Sequence, residues 1–191
     1  MISRNEIYNL LKNPDRENDK IEFKRSDLLR SNTGKIKIAE GIVAFANRYG
    51  GKLIFGIKDD GDFQGKSIFD IDNNKGTIEE ICYKRISPVI DYDIEFFQYD
   101  EGDILVVDIP RKKNMPHAYI EERKGPDIKE RTYYIRTNHG KRLLTDRQLQ
   151  WLFQHQEEPD FVYPFRIVLS YLTDSLEFVD TFQIEHPNYV S

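Results

Sequence analysis

The sequence predicts an α+β fold, with a mixed, largely antiparallel sheet and flanking helices. Stretches with apolar residues at helical spacing are interspersed with shorter stretches in which polar and apolar residues alternate. At least two pairs of strand stretches are joined by short turns, at 59–61 and 100–103, which is typical of hairpins. This order of helices, strands and hairpins favours an α+β sheet over a doubly wound parallel one.

The first elements follow from local patterns. Residues 2–13 have apolar residues close to helical spacing, and Asn13-Pro14 ends that pattern. Polar and apolar residues alternate from Lys20 to Lys24, which predicts a half-buried strand. Residues 26–34 are rich in turn formers.

The next stretch predicts a helix over 35–49, followed by a hairpin. One face of this helix is apolar: Ala39, Ile42, Val43 and Ala46. Gly50-Gly51 follow where a left-handed C-terminal cap is expected. Residues 53–57 then form a strand, 59–61 a turn, and Phe63 begins the return strand.

The second half predicts a helix over 77–86 that ends at Ser87-Pro88, and later a helix over 146–155. The strands expected between them are 92–98, 104–109 and 132–136. The residues expected to be buried on the last helix are Leu149, Leu152 and Phe153.

A boundary is expected near Glu157-Glu158-Pro159-Asp160. We therefore predict a main domain over 1–156 and a β-rich C-terminal extension over 157–191, with strand patterns at 161–172 and 178–184.

Composition excludes several classes of protein. The net charge of −5, from 28 Lys+Arg and 33 Asp+Glu, argues against coating nucleic acid by bulk attraction, although a local basic groove is compatible with it. The single Cys82 is expected in the core and cannot form an internal disulfide. The sequence has neither a secretory signal nor an apolar run of about 18 residues, so we predict a cytoplasmic protein without a membrane span.

Several short motifs occur along the chain in a defined order. They are Glu17 with Ile21-Glu22-Phe23-Lys24, Ala44-Phe45-Ala46-Asn47 with Gly50-Gly51, Phe55-Gly56-Ile57 before Asp59-Asp60-Gly61, Pro116-His117, Tyr133-Tyr134-Ile135-Arg136, and the helix after Thr145. Together they resemble the Schlafen AlbA-type domain over about residues 17–155.

The resemblance implies nucleic-acid binding. Vertebrate members of that family include metal-dependent endoribonucleases that cut structured RNA, above all tRNA, at a cluster of three acids. Carried over to this chain, the cluster is Glu17, Glu22 and either Asp59 or Asp60, of which we favour Asp59. These carboxylates would bind Mg²⁺ or Mn²⁺, and the metal ion would act on a phosphodiester of RNA. DNA is a further candidate partner.

The spacing of the acids does not by itself produce this site. Glu17 and Glu22 are five residues apart, so they converge only if the chain turns between them, for which Asn18-Asp19 is suited. The alternative is that the acids form a solvated face and that the domain is a non-catalytic nucleic-acid-binding or regulatory module. A partner-binding role for the C-terminal strands is a third possibility.

Basic residues near these motifs are candidates for contacts with nucleic acid: Lys24, Arg25, Arg136, Lys141 and Arg142. Neighbouring Tyr133 and Tyr134 could stack on unpaired bases, or simply belong to a strand. His117 is expected to bond a backbone group rather than to catalyse. The vertebrate proteins have two such lobes side by side, so we expect a homodimer of this single copy.

Overall fold

The structure is a computed structural model, and it describes residues 3–12, 18–58, 62–65, 70–111, 116–121, 130–137 and 140–154. The helices are α1 (Arg4–Leu11), α2 (Asn32–Ala46), α3 (Ile71–Arg85) and α4 (Asp146–Gln154), with a 3-10 helix at Ser26–Arg30. The strands are β1 (Ile21–Lys24), β2 (Gly50–Phe55), β3 (Ile86–Ser87), β4 (Asp93–Gln98), β5 (Asp103–Pro110), β6 (Ala118–Tyr119), β7 (Tyr134–Thr137) and β8 (Gly140–Leu143). The chain divides into two compact units, Met1–Leu144 and Thr145–Ser191.

The central sheet has the strand order β1-β2-β5-β4. β1 runs parallel to β2, with Glu22 opposite Leu53, whereas β2, β5 and β4 pair antiparallel. The predicted mixed, largely antiparallel sheet is therefore confirmed. Two short ladders, β3 with β6 and β7 with β8, complete the pairing of the named strands.

Apolar residues cover both faces of this sheet. The larger core includes side chains of α2, α3 and alternate residues of β2 and β5: Ile42, Phe45, Leu53, Phe55, Ile78, Leu105 and Val107. The smaller cluster joins α1 to the other face through Ile7, Ile54, Ile57, Ile104 and Val106. Each of the two central strands is therefore apolar on both sides, which is typical of a sheet covered on both faces.

β1 differs from the half-buried strand that its alternation predicts. Ile21 and Phe23 are only partly buried and pack against the smaller cluster, while Glu22 is buried. Because Glu22 is the register partner of Leu53, its side chain lies on the face that carries the larger core. The carboxylate is thus the buried residue of this edge strand.

α2 confirms the predicted helix and its buried face, with bounds shifted toward the N-terminus. Ser31 caps it by accepting a hydrogen bond from the N–H of Gly34. The helix ends at the C-cap Asn47, so Gly50 does not cap it and instead begins β2 with φ +74°. A β-carbon at Gly51 would lie 2.2 Å from the Phe45 ring, which explains why glycine is needed there.

The predicted 59–61 turn lies outside the described residues, as do the strand patterns at 161–172 and 178–184. On either side of the turn, Ile57 and Phe63 form an antiparallel bridge. None of the described helices is long and apolar enough to cross a bilayer.

In the second unit, the described part is Thr145 with α4. Thr145 and Gln148 exchange hydrogen bonds between side chain and backbone N–H, which caps the helix. The predicted burial on α4 is wrong for Phe153, which is 40% exposed, while Leu149 and Leu152 are half-buried. Gln148 is the buried residue of α4 instead, and its Oε1 accepts the hydrogen bond from the Thr145 N–H.

Candidate carboxylate site

Glu22 is the member of the predicted acidic cluster that the structure describes; Glu17, Asp59 and Asp60 lie outside the described residues. Its side chain is 11% exposed. α2 passes close to it, since a β-carbon added at Gly41 would lie 3.7 Å from Glu22 Oε2. A charge in such a position needs partners, because an isolated buried carboxylate is strongly destabilising.

Two cations supply that partnership. Arg136 Nη1 donates to Glu22 Oε2 at 2.5 Å, and Lys24 Nζ forms an ion pair with Oε1. The Arg136 side chain is 3% exposed, whereas that of Lys24 is 21% exposed. Each oxygen of Glu22 therefore has a cationic partner, and only the partner of Oε1 reaches solvent appreciably.

Arg136 also binds the backbone that leads into β1. Its Nη2 donates to the carbonyls of Asn18 at 3.0 Å and Ile21 at 3.3 Å. Asn18 directly follows Glu17, and its N–H donates to the Ile21 carbonyl at 3.1 Å, which confirms the expected turn before β1. One guanidinium thus holds both the Glu22 carboxylate and the carbonyls of Asn18 and Ile21.

For Arg136 the structure differs from the predicted contact with nucleic acid. Its guanidinium lies 4.8 Å from the centroid of the Phe45 ring and is enclosed by protein groups. A side chain this buried and this fully bonded positions Glu22 rather than facing a phosphate.

A second carboxylate, which the sequence analysis missed, lies beside this pair. Glu40 of α2 accepts a hydrogen bond from the Tyr134 hydroxyl at 2.9 Å and pairs with Lys141 Nζ at 3.0 Å. Burial and this hydrogen bond raise the pKa of Tyr134 to about 12, so its hydroxyl remains a donor at neutral pH. A polar residue between Ala39 and Gly41 on an otherwise apolar stretch is the sequence signal that could have revealed it.

The hairpin β7–β8 connects the two carboxylates. Tyr134 and Arg136 are two residues apart on β7, so they share one face, and Arg136 is the register partner of Lys141. The hairpin therefore directs two cations and one hydroxyl toward Glu22 on β1 and Glu40 on α2.

Asn47, from the Ala44-Phe45-Ala46-Asn47 motif, fixes the position of this hairpin. Its Nδ2 donates to the carbonyls of His117 at 2.8 Å and Tyr134 at 2.9 Å, and its Oδ1 accepts from the His117 N–H at 2.7 Å. The His117 ring bonds the Pro88 carbonyl at 2.8 Å through Nδ1, so the expected bond to a backbone group is confirmed. Three of the sequence motifs thus meet at one amide.

The other predicted basic residues occupy more open positions. Arg25 pairs with Asp27 at 3.0 Å and is half exposed. Arg142 is classed as exposed, but part of its side chain is covered by protein. This partial burial, together with the charge of Arg48, lowers the pKa of Arg142 below the ordinary arginine value. Lys24, paired with Glu22, and Lys141, paired with Glu40, therefore place positive charge beside the two carboxylates, whereas Arg142 alternates with Lys141 on β8 and lies on the other face of the hairpin.

The donor chemistry of the predicted cluster fits Mg²⁺ or Mn²⁺, because both prefer carboxylate oxygens. Within the described part of the chain, no three acidic, histidine or cysteine residues come together as a metal site. Glu22 is the one member of the predicted cluster among the described residues. Its Oε1 is the oxygen at which a metal ion could replace Lys24, because Lys24 is more exposed than Arg136.

A family model described as Schlafen, AlbA_2 matches residues 17–145. The chain belongs to this family. The Schlafen AlbA_2 match contains all the carboxylates and basic residues described above, and the family is associated with nucleic-acid binding.

One solved structure shows the same fold at low identity. The DIP2311 protein of Corynebacterium diphtheriae aligns with a TM-score of 0.51 and 18% identity over 81% of this chain and 32% of its own, so this chain spans about a third of that protein. The N-terminal domain of a RecG-related protein of Nitrosomonas europaea aligns with a TM-score of 0.43 and 23% identity, over 72% of this chain and 93% of that one. No curated protein matches the chain.

Proposed function

We propose that this Schlafen AlbA_2 domain is a metal-dependent endoribonuclease that binds and cuts structured RNA such as tRNA. The observation that most supports the proposal is the placement of Glu22, a carboxylate held on the core-facing side of an edge strand by Arg136. The same arginine fixes the backbone next to Glu17, which favours convergence of the first two acids.

Each residue then has a defined role. Glu17, Glu22 and Asp59, or Asp60 in its place, would hold Mg²⁺ or Mn²⁺, which would activate water and stabilise charge on the phosphate. Arg136 is a positioning residue that fixes Glu22 through Oε2. Lys24, once released from Glu22 Oε1, attracts the phosphates of the RNA backbone through its positive charge.

The second candidate is a non-catalytic nucleic-acid-binding module. The observation that favours it is that both oxygens of Glu22 already have cationic partners, Arg136 and Lys24, so the carboxylate is satisfied within the fold. In that case Glu22 and Arg136 join β7 to β1 and contribute only to stability.

The test incubates the full chain with total tRNA and with single-stranded DNA in Mn²⁺, Mg²⁺ or EDTA. Glu22→Gln is the test variant, and Glu101→Gln, at an exposed position in the turn between β4 and β5, is the matched control. We expect cleavage of tRNA that requires metal, is retained in Glu101→Gln and falls at least about 100-fold in Glu22→Gln, the scale of a lost electrostatic contact in a transition state.

Urea unfolding of both variants separates loss of chemistry from loss of fold. A Glu22→Gln protein that is folded, binds tRNA and cuts it at the wild-type rate would reject the carboxylate mechanism. RNA binding without any cleavage by the wild type would favour the non-catalytic module.

The homodimer is part of the same proposal, as two copies could enclose a groove around the RNA. Gel filtration with light scattering at micromolar concentration tests it, and a monomeric mass would remove the groove between copies while leaving the chemistry of one copy to be tested.

A further inference from the structure

A second polar site lies in the first unit, and none of the residues that bind Glu22 lines it. A cavity of about 280 Å³ is formed by the end of the 3-10 helix, the first turn of α2 and the last turns of α3. Its polar lining consists of Arg30, Asn32, Lys35, Glu80, Lys84 and Arg85.

The charge of this cavity opposes that of the chain. Four cations face a single carboxylate there, whereas the whole chain has a net charge of −5. Arg85 is 7% exposed, and its Nη2 donates to Asn32 Oδ1 at 2.6 Å, which holds a buried guanidinium against the start of α2. The positive end of the α2 dipole lies at the same place.

Glu80 lies between the two lysines. Its oxygens accept from Lys35 Nζ at 2.9 Å and Lys84 Nζ at 2.8 Å. These hydrogen bonds, that from Lys84 first, lower the pKa of Glu80 to about 2, so the carboxylate is ionised at neutral pH. An anionic group that enters the cavity would therefore compete with Glu80 for the two ammonium groups.

We propose that this cavity is a phosphate-binding subsite that takes a backbone phosphate of the bound nucleic acid. The inference rests on the proposed nucleic-acid binding and extends it to a surface that no sequence motif indicated. Two guanidinium groups and two ammonium groups place positive charge around the cavity, and the first turn of α2 lines the same space. Glu80 weakens this attraction. Removing a cation should therefore weaken phosphate binding, and removing Glu80 should strengthen it.

The experiment measures binding of the full chain to a fluorescein-labelled RNA oligonucleotide by anisotropy, in EDTA so that cleavage does not interfere. Lys84→Gln removes a cation from the cavity, and Glu80→Gln removes the competing carboxylate. Lys75→Gln is the control, since Lys75 is exposed on the same helix about 14 Å before Lys84 and does not line the cavity.

We expect Lys84→Gln to weaken binding on the order of three- to tenfold and to lower the slope of log affinity against log salt by about 0.7 to 0.9. Glu80→Gln should bind RNA more tightly than the wild type, and Lys75→Gln should bind RNA with the affinity of the wild type. Opposite signs at two residues joined by one ion pair are not expected from a purely structural role, because breaking the pair from either side would then weaken binding.

The outcomes separate this inference from the function on which it rests. If the wild type does not bind RNA, the proposed function fails and the subsite with it. If the wild type binds RNA and all three variants bind equally, only the subsite is overturned. If inorganic phosphate raises the melting temperature of the wild type but not of Lys84→Gln, while RNA affinities are equal, the cavity takes free phosphate and its assignment to nucleic acid is overturned.

Discussion

Glu22 and Glu80 are both carboxylates held by two cations, yet they lie in opposite environments. The Glu22 side chain is 11% exposed on a strand edge, and that of Glu80 is 38% exposed on α3. Their partners are Arg136 with Lys24, and Lys35 with Lys84, respectively. Each carboxylate therefore forms two ion pairs, but the side chain of Glu80 is far more accessible to water than that of Glu22.

The comparison shows which ion pair determines structure and which can exchange partners. Around Glu22, Arg136 also satisfies backbone carbonyls and stacks on Phe45, so its removal would leave several polar groups buried without partners. Around Glu80, water can replace either lysine at little cost. Glu40, at 18% exposed, lies between these extremes.

The largest effect is expected from Arg136→Met. This change leaves Glu22 buried with Lys24 alone, so the free energy of unfolding should fall by about 3 to 5 kcal/mol. Arg25→Met is the control: its pair with Asp27 is half exposed, so urea unfolding should show a loss below about 1 kcal/mol.

The double variant Glu22→Met with Arg136→Met sharpens this prediction. It removes both charges, so it should be more stable than Arg136→Met alone, although the carbonyl of Asn18 still loses its donor. An Arg136→Met protein as stable as Arg25→Met would show that the buried pair of Arg136 with Glu22 contributes no more than the exposed pair of Arg25 with Asp27.

The sequence alone was sufficient for part of this picture. Periodicity placed the buried face of α2, and the order of short motifs identified the family, because both signals are local. Alternation misread β1, since a sheet covered on both faces gives Ile21 and Glu22 each a protein environment.

The partners of the basic residues could not be predicted in the same way. Arg136 and Glu22 are separated by 114 residues, and a lone arginine in a strand pattern resembles a surface residue. Only the tertiary fold brings β7 across α2 to β1 and converts a predicted nucleic-acid contact into a positioning group. The convergence of Glu17, Glu22 and Asp59 stays a prediction.

An intermediate effect is expected from Tyr134→Phe. The change removes the hydroxyl that donates to Glu40 but leaves Lys141 in place, so stability should fall by about 1 to 2 kcal/mol. Tyr83→Phe, at a residue that is 59% exposed on α3, should change the unfolding free energy by less than about 0.5 kcal/mol. Equal losses in the two variants would mean that the Tyr134 hydroxyl adds nothing beyond a surface contact.

The smallest effect is expected from Glu80→Gln, and its signature is dependence on pH and salt rather than size. The pKa of Glu80 is lowered from 4.5 to about 2 by Lys84 and Lys35, so its stabilisation is fully present above pH 4.5 and is lost as the pH falls toward 2. Since the group is more than a third exposed, solvent screening limits the difference between wild type and variant to no more than about 1 kcal/mol at neutral pH. Urea unfolding should show this difference shrinking across that pH window and also in 1 M salt, where the Debye length is about 3 Å. A difference that stays constant with pH and salt would place Glu80 with the buried Glu22 instead, and the partner exchange proposed for the phosphate cavity would lose its physical basis.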